Sequence, residues 1–522
     1  MARVLVTEAI AESGLSLLRQ AGHEVDVHLE PSPDELLDLV EEAEALIVRS
    51  ATRVTAEVIE KARRLVVIGR AGIGLDNIDV EAATRRGIIV ANAPHSNTLS
   101  AAEHTMALLL AQARNVPQAH AALVSGRWER SRWKGVELSG KTLGIIGLGR
   151  IGRLVAQRAL AFGMKLIAYD PYVSEERARQ LSVTLVDLEE LMERSDFVTI
   201  HVARTPQTEG MIGRDLLARA KPGMRLVNVA RGGIVDEEAL AEAIREGRLA
   251  GAAIDVFADE PCTSSPLFEL ESVVVTPHLG ASTVEAQDKA GIAIAEQVNL
   301  ALAGEFVPFA VNLGAVEVNE TVRPFVALAE RLGEFLACLT GEGVEQLEVE
   351  CQGQLADYDT RALTLAVLKG YFSRTADEPV SYVNAPRIAE ERGVVVRDSH
   401  TTTTHDWVNL LSVRGGTHMV AGTMHGLKAE PRIVKVDDHL VDIPPERHML
   451  VVRNEDRPGV IGFVGTVLGD AGVNISNMDV GKSPEGEAAL MVLATDQPVP
   501  SEVIKKLQDS PLVRSVHAVT LG

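Results

Sequence analysis

Residues 141–170, KTLGIIGLGRIGRLVAQRALAFGMKLIAYD, decide how the rest of the chain is read. Residues 142 to 146 form an uncharged run that predicts a buried strand, and residues 153 to 162 carry a helical apolar pattern. Between them Gly147, Gly149 and Gly152, with Arg150 and Ile151 inside the last interval, make a Gly-x-Gly-x-x-Gly turn. A second strand over 165–169 then ends on Asp170. Glycine is needed first for the tight turn, next where backbone approaches a pyrophosphate, and last where helix packs on strand, while the helix N-terminus favours phosphate charge. The glycines alone are weak evidence; a full strand, turn, helix and strand with an acid at the end is much stronger. Asp170 is placed to accept hydrogen bonds from the adenosine ribose and to repel a 2′-phosphate, which predicts NAD rather than NADP.

Outward from this unit, the totals set bounds. A chain of 522 residues is too long for one core and implies three or four domains. It is 46% hydrophobic with no apolar run long enough to span a membrane, and the opening MARVLVTEAI lacks the pattern of a secretory signal. Cys262, Cys338 and Cys351 are too scattered for a disulfide framework or a zinc site, so a reducing cytoplasm is expected. A formal charge of −22 argues against general nucleic-acid binding and requires any anionic substrate to meet a local cationic cluster.

Residues 3 to 98 alternate short apolar runs with helical patterns, which predicts a parallel sheet covered on both faces. Arg49 and Ser50 follow the third run; Arg70, Gly72 and Gly74 follow the fourth. Ligands of such sheets bind beyond the strand carboxyl ends, so these residues are candidates for an anion pocket built from two guanidiniums and glycine-exposed amides. Residues 98 to 125 read as an almost unbroken helix that Pro117 kinks or divides. The loop after it, RWERSRWK at 127–134, is cationic and reads either as part of a cleft, in its own or a neighbouring subunit, or as a solvated turn.

Beyond residue 170 the strand–helix alternation continues, and three strand ends carry chemistry. One ends in Ala230-Arg231, one in the segment from Asp255 to Glu260, and one in His278 with Gly280 just beyond. Oxidising a secondary alcohol by hydride transfer needs a base for the hydroxyl proton, a part suited to imidazole. A carboxylate on the other ring nitrogen fixes the tautomer, and a guanidinium holds a substrate carboxylate in bidentate fashion. Asp236 reads instead as a helix N-cap.

The segments GRAGIGLDNID, NAPHSNTLSAAEH, VNVARGGIVDEEAL, DVFADEP and TPHLGAST resemble the D-isomer-specific 2-hydroxyacid dehydrogenases over residues 1 to about 313. The resemblance implies that Arg231, Glu260 and His278 are catalytic. It also implies that Gly147, Gly149, Arg150, Ile151, Gly152, Asp170, Ala230, Asp255 and Gly280 meet NAD, with Asp255 facing its nicotinamide end. Ala203 departs from the pattern, because relatives often carry proline there. The family's topology predicts two Rossmann-like doubly wound domains, residues 99–285 for NAD and residues 1–98 plus 286–313 for substrate, with the cleft between them.

After residue 314 the composition changes. Helices are expected over 321–340 and 361–374 and β-like segments over 344–352 and 392–396, an α+β intervening domain spanning 314–446. His400 and His405 lack partners at metal-ligand spacing, so no metal is expected. Residues 447–522 read as a βαββαβ, ferredoxin-like unit whose Asp-Arg-Pro-Gly turn resembles an ACT domain, in which Asp456 and Asn474 would bind an amino-acid effector between paired subunits; a dimerisation module without ligand is the other reading. A dehydrogenase of this family with both additions resembles its long bacterial branch. That branch implies 3-phosphoglycerate as substrate, oxidised to 3-phosphohydroxypyruvate at the start of serine biosynthesis, with L-serine as feedback effector and a homo-oligomer, a dimer of dimers. Arg231 and the backbone of 72–74 would then hold the carboxylate, and Arg49 and Arg70 the phosphate. Two other readings stay open: a dehydrogenase for another D-2-hydroxyacid such as glycerate or 2-hydroxyglutarate, and a non-catalytic NADH-sensing protein.

Overall fold

The structure is a computed structural model that describes residues 1–313, 318–341, 343–376, 378–404, 406–426, 428–482 and 488–522, the Lys482 side chain excepted. Strands Thr142–Ile146 and Lys165–Tyr169 form as the alternation of apolar residues requires, and helix Arg150–Ala161 starts directly on the glycine turn. They belong to a seven-stranded sheet, ordered Val273–Val275, Leu249–Ile254, Met224–Asn228, Phe197–Ile200, Thr142–Ile146, Lys165–Tyr169 and Thr184–Leu185. All its pairings are parallel, and the order reverses beside Thr142–Ile146, where a crevice opens at the strand carboxyl ends.

The first sheet has five parallel strands ordered Glu24–Val27, Arg3–Val6, Ala45–Val48, Val67–Arg70 and Ile89–Ala91. Its second layer includes a helix from far along the chain, Val284–Leu302, whose Ala290, Ile294, Ala295 and Val298 share one core with Val4, Val6, Ile47 and Val67. The predicted helix over 98–125 is two helices, Thr98–Arg114 and Val116–Val124. The break falls at Asn115, in the left-handed region at φ 50°. Pro117 occupies the first turn of the second helix, where its missing N–H costs nothing.

The third sheet is largely absent from the sequence reading. It has six strands, ordered Val395–Thr401, Gln346–Gly353, Asn409–Gly415, His418–His425, Glu430–Val436 and His439–Ile443. All neighbours are antiparallel except the first pair. The four strands from Asn409 onward were missed because their signals are short turns, Gly415-Gly416 and Asp437-Asp438, the second carrying a positive φ of 51° at Asp437. Helices Arg323–Thr340 and Arg361–Thr375 cover this sheet. Their close crossing depends on glycine: a Cβ on Gly333 would lie 2.2 Å from the Val367 carbonyl, and one on Gly370 would lie 2.0 Å from that of Glu330.

The last sheet is antiparallel, ordered Ile475–Lys482, Ala488–Thr495, His448–Glu455 and Val513–Thr520, with helices Val460–Asp470 and Ser501–Gln508 on one face. Its other face continues the intervening core. Met449, Val451, Leu490, Val492 and Val519 are buried with Phe335, Leu336, Leu339 and Leu347.

Candidate active site

The glycine turn fits a dinucleotide in detail. Gly147 has φ 91°, and a Cβ there would lie 2.6 Å from the His201 carbonyl oxygen; one on Gly152 would lie 2.1 Å from that of Gly147. These two glycines are demanded by packing. Gly149 is different, because a Cβ on it would meet nothing within 4 Å, which leaves open space directly before the helix amides. That helix has no side-chain cap, so its N-terminal donors face the same space. Asp170 closes the unit: its carboxylate accepts the Leu148 N–H at 2.8 Å and the Tyr172 N–H at 2.9 Å. Arg150 reaches across to the Pro94 carbonyl at 3.1 Å, and Ile151 is half-buried against the nucleotide-side core.

On the same sheet edge, His278 Nδ1 lies 2.6 Å from Glu260 Oε2. Burial pushes the Glu260 carboxyl up, but the hydrogen bonds from His278 and the Phe257 N–H, with the field of His278, outweigh it and hold the group below its ordinary value. His278 has φ 54°, a strained conformation for a residue with a Cβ, and its N–H donates to the Asp255 carbonyl at 2.8 Å. Asp255 is wholly buried and holds the turn: its carboxylate accepts the Leu279 N–H at 2.7 Å, the Gly280 N–H at 2.9 Å and the Thr276 hydroxyl at 2.6 Å. His104 Nε2, from helix Thr98–Arg114, lies 3.2 Å from the same carboxylate. His104 carries no signal of this contact in the sequence, because its partner lies 151 positions away. Asp236 is the N-cap of helix Glu237–Arg245, accepting the Ala239 N–H at 3.0 Å.

Arg231 donates to the Ala230 carbonyl at 2.8 Å and lies 3.6 Å from Asp76 Oδ2, while Ala230 N–H donates to Asn228 at 3.0 Å. The guanidinium rests against Gly74, where a Cβ would approach to 2.6 Å. Arg70 folds over Gly72 in the same way, at 1.6 Å from such a Cβ. These glycines therefore clear space for two arginines; of their amides, the Gly72 N–H donates to the Arg70 carbonyl at 2.7 Å. Arg70 Nε is buried with no hydrogen-bond partner among the described residues. Burial and the neighbouring Arg231 pull its pKa down to about 10, Glu8 and Asp76 raise it, and Arg49 lowers it further. Arg70 thus lies within the field of two further guanidiniums, Arg231 and Arg49, in a chain of charge −22. The amides of Arg49 and Ser50 are not open to a ligand, because both donate to Glu8.

The 127–134 loop is less basic in effect than in sequence. Arg132 pairs with Glu271 at 2.7 Å and with Glu129, and its guanidinium stacks 5.1 Å from the Trp133 ring centroid. Trp128 is 81% exposed. Among the described residues no group of histidine, cysteine and carboxylate side chains has the arrangement of a metal site. His400 donates to or accepts from the Thr360 hydroxyl at 2.7 Å, and His405 lies outside the described residues. No described helix is long and apolar enough to cross a membrane.

In the terminal sheet, Asp456 and Asn474 lie at opposite ends. His448 and Ile475 both pair with Thr495, whereas Glu455 pairs with Ala488 and Lys482 with Ala489. Asn474 stands just before one end and Asp456 just past the other, so one chain does not bring them together. Asn474 N–H donates to Asp496 at 3.0 Å, and Gly459, at φ 94°, starts helix Val460–Asp470 without a side-chain cap.

Comparison with known proteins matches three segments of the chain to known domains. The sequence model of the D-isomer specific 2-hydroxyacid dehydrogenase NAD binding domain matches residues 106–280, that of the D-3-phosphoglycerate dehydrogenase intervening domain residues 321–437, and that of the ACT domain residues 448–511. D-3-phosphoglycerate dehydrogenase of Mycobacterium tuberculosis is 48% identical over 96% of this chain and 96% of its own. The Methanocaldococcus jannaschii protein of that name is 44% identical over 100% of both. Among solved structures, D-lactate dehydrogenase from Aquifex aeolicus complexed with NAD and lactic acid is 28% identical, with a TM-score of 0.52 over 58% of this chain and 96% of that one. With identity of this level running through all three matched domains, the chain belongs to the D-3-phosphoglycerate dehydrogenase family, in the long form that carries an intervening domain and an ACT domain.

Proposed function

We propose that this NAD-dependent dehydrogenase oxidises 3-phospho-D-glycerate to 3-phosphohydroxypyruvate, opening serine biosynthesis. The observation that carries the reading is the buried Arg70 Nε, without a hydrogen-bond partner among the described residues, in the field of Arg231 and Arg49, in a chain that also holds the 2.6 Å His278–Glu260 pair. Gly147–Gly152 and Asp170 would hold NAD, which would supply the hydride acceptor. His278 takes the C2 hydroxyl proton on Nε2. Its Nδ1–H donates to Glu260, which is ionised at neutral pH and stabilises the imidazolium that forms. Arg231 holds the substrate carboxylate and sets C2 against the base; Arg49 and Arg70 take the phosphate. Asp255, tied to the Leu279 and Gly280 amides, keeps His278 aimed.

The oligomer is a dimer of dimers. Val116, Leu123, Val124 and Trp128, all more than half exposed, support one such contact on the nucleotide-side domain. Asp456 of one subunit and Asn474 of its neighbour bind L-serine where two terminal sheets meet in antiparallel fashion, which accommodates their separation within one chain.

Initial rates on 3-phosphoglycerate and on D-glycerate test the substrate. A kcat/KM at least ~100-fold higher for the phosphorylated acid is expected, since a lost charge-assisted contact at a buried cation costs about 3 kcal/mol; equal efficiency refutes the phosphate site. Serine titration of the rate, with Asn474→Ala insensitive, tests the effector site.

A further inference from the structure

Glu8 lies just past strand Arg3–Val6, at the sheet edge that carries Arg49 and Arg70, and is 8% exposed. One of its carboxylate oxygens accepts the N–H groups of Arg49 at 2.8 Å and Thr52 at 2.9 Å. The other accepts those of Ser50 at 3.2 Å and Ala51 at 3.1 Å. Four successive amides turned toward one point make an anion nest of the kind that elsewhere receives a phosphate. Here the protein's own carboxylate fills it. The acceptors of the loop are matched in turn: Asn77 Nδ2 donates to the Arg49 carbonyl at 3.0 Å and the Thr52 carbonyl at 2.7 Å. The Thr7 and Thr52 hydroxyls, 2.9 Å apart, join the loop to the strand end.

Burial pushes the Glu8 carboxyl up, yet the amides of Thr52, Ala51 and Arg49 and the Thr52 hydroxyl outweigh burial and keep it below its ordinary value, so it is ionised at neutral pH. Its charge acts on the buried Arg70, against the repulsion from Arg231 and Arg49. Glu8 thus does two things at once. It locks the loop that projects Arg49, and it offsets part of the repulsion among three guanidiniums that share a cleft before any substrate arrives.

We propose that Glu8 is the positioning residue of the substrate-phosphate site. By filling the amide nest with a fixed internal anion it leaves recognition of the substrate's phosphate to the side chains of Arg49 and Arg70, held in place by the loop and the charge behind them. The proposal rests on the reading of Arg49 and Arg70 as phosphate ligands.

Glu8→Gln keeps the size but offers one acceptor oxygen and turns an NH2 group toward two N–H donors, so the loop must shift. The test is the phosphate preference, the ratio of kcat/KM on 3-phosphoglycerate to that on D-glycerate, in wild type and variants. For Glu8→Gln we expect KM for 3-phosphoglycerate to rise ~10-fold or more, with kcat within ~3-fold, because the loss falls on substrate binding. NADH affinity, read by fluorescence titration, stays unchanged. Glu8→Asp retains the charge with a shorter reach and gives an intermediate KM. It also serves if the glutamine variant does not fold, an unchanged KM in Glu8→Asp then overturning the proposal. A wild-type enzyme without phosphate preference overturns the underlying reading. A wild-type preference that survives undiminished in Glu8→Gln overturns the role of Glu8 alone, as does a parallel loss of kcat and NADH affinity.

Discussion

In the proposed mechanism, His278 shows how much of the chemistry would lie in the placement of single groups. Its ring is set by Glu260 at one nitrogen, and its backbone is held at φ 54° by Asp255, so the other nitrogen is turned to the cleft by two independent restraints. His278→Ala is expected to lower kcat ~10²–10⁴-fold, the usual worth of a placed general base, while NADH binding measured by fluorescence is unaltered. Glu260 also links the site to acid stability. Its folded-state pKa is depressed below the ordinary 4.5. The stability it contributes is therefore full above about pH 4.5 and is lost as pH falls through the folded value. Thermal melts between pH 6 and pH 3 should show a shallower acid decline in Glu260→Gln than in wild type, whereas parallel curves would remove Glu260 from that limb.

At the scale of the element, the glycine turn separates positions that packing demands from one around which space is left open. Gly152 touches backbone, since a Cβ there would stand 2.1 Å from the Gly147 oxygen, while Gly149 has open space around it. Gly152→Val should accordingly lower stability by roughly 1–3 kcal/mol through overpacking and weaken NADH binding as well. Gly149→Val is expected to leave the melting temperature within about 2 °C, as for a substitution without contacts, and to weaken NADH binding alone. Thermal denaturation beside NADH titration distinguishes the two. The same reasoning applies to Gly72 and Gly74, whose absent side chains give Arg70 and Arg231 their places. A guanidinium lying on a distant glycine, as Arg231 lies on Gly74, is a relation that no local pattern contains.

Across the whole molecule, the terminal and intervening domains share one core, and helix Arg323–Thr340 is its spine. The helix carries Phe335, Leu336 and Leu339 into that core. Its Glu334 accepts the Gly522 N–H at 2.6 Å, fastening the end of the chain. Strand His439–Ile443 closes on the terminal sheet, where Asp442 N–H donates to Asp479 at 2.7 Å and a Cβ on Gly481 would lie 2.5 Å from the Leu440 carbonyl oxygen. The intervening domain in turn meets the domain of the first, five-stranded sheet, through Ser381 to the Gly87 carbonyl at 2.8 Å and Lys369 to that of Gly304 at 2.8 Å. Phe335→Ala, at a fully buried site, should cost about 3–5 kcal/mol. Because the core is shared, hydrogen exchange should report weakened protection in residues 448–522 and 321–443 together; loss confined to one of them would contradict a single cooperative unit.

Sequence alone determined what is written in short segments. The strand–turn–helix at 142–161, the acid at Asp170, the placing of Arg231, Glu260 and His278 after strand ends, and the βαββαβ order after His448 all rest on local periodicity, turn chemistry and spacing, which few neighbours can override. Tertiary structure decided what depends on distant residues. Glu8 fills the amides after the third strand, 41 positions away, and His104 meets Asp255 across 151 positions. The shared core beneath the last two sheets and the separation of Asp456 from Asn474 belong to the same class. The physical reason is common to them all: a buried carboxylate or an apolar face is defined by which groups satisfy it, and those partners become neighbours only when the chain has folded.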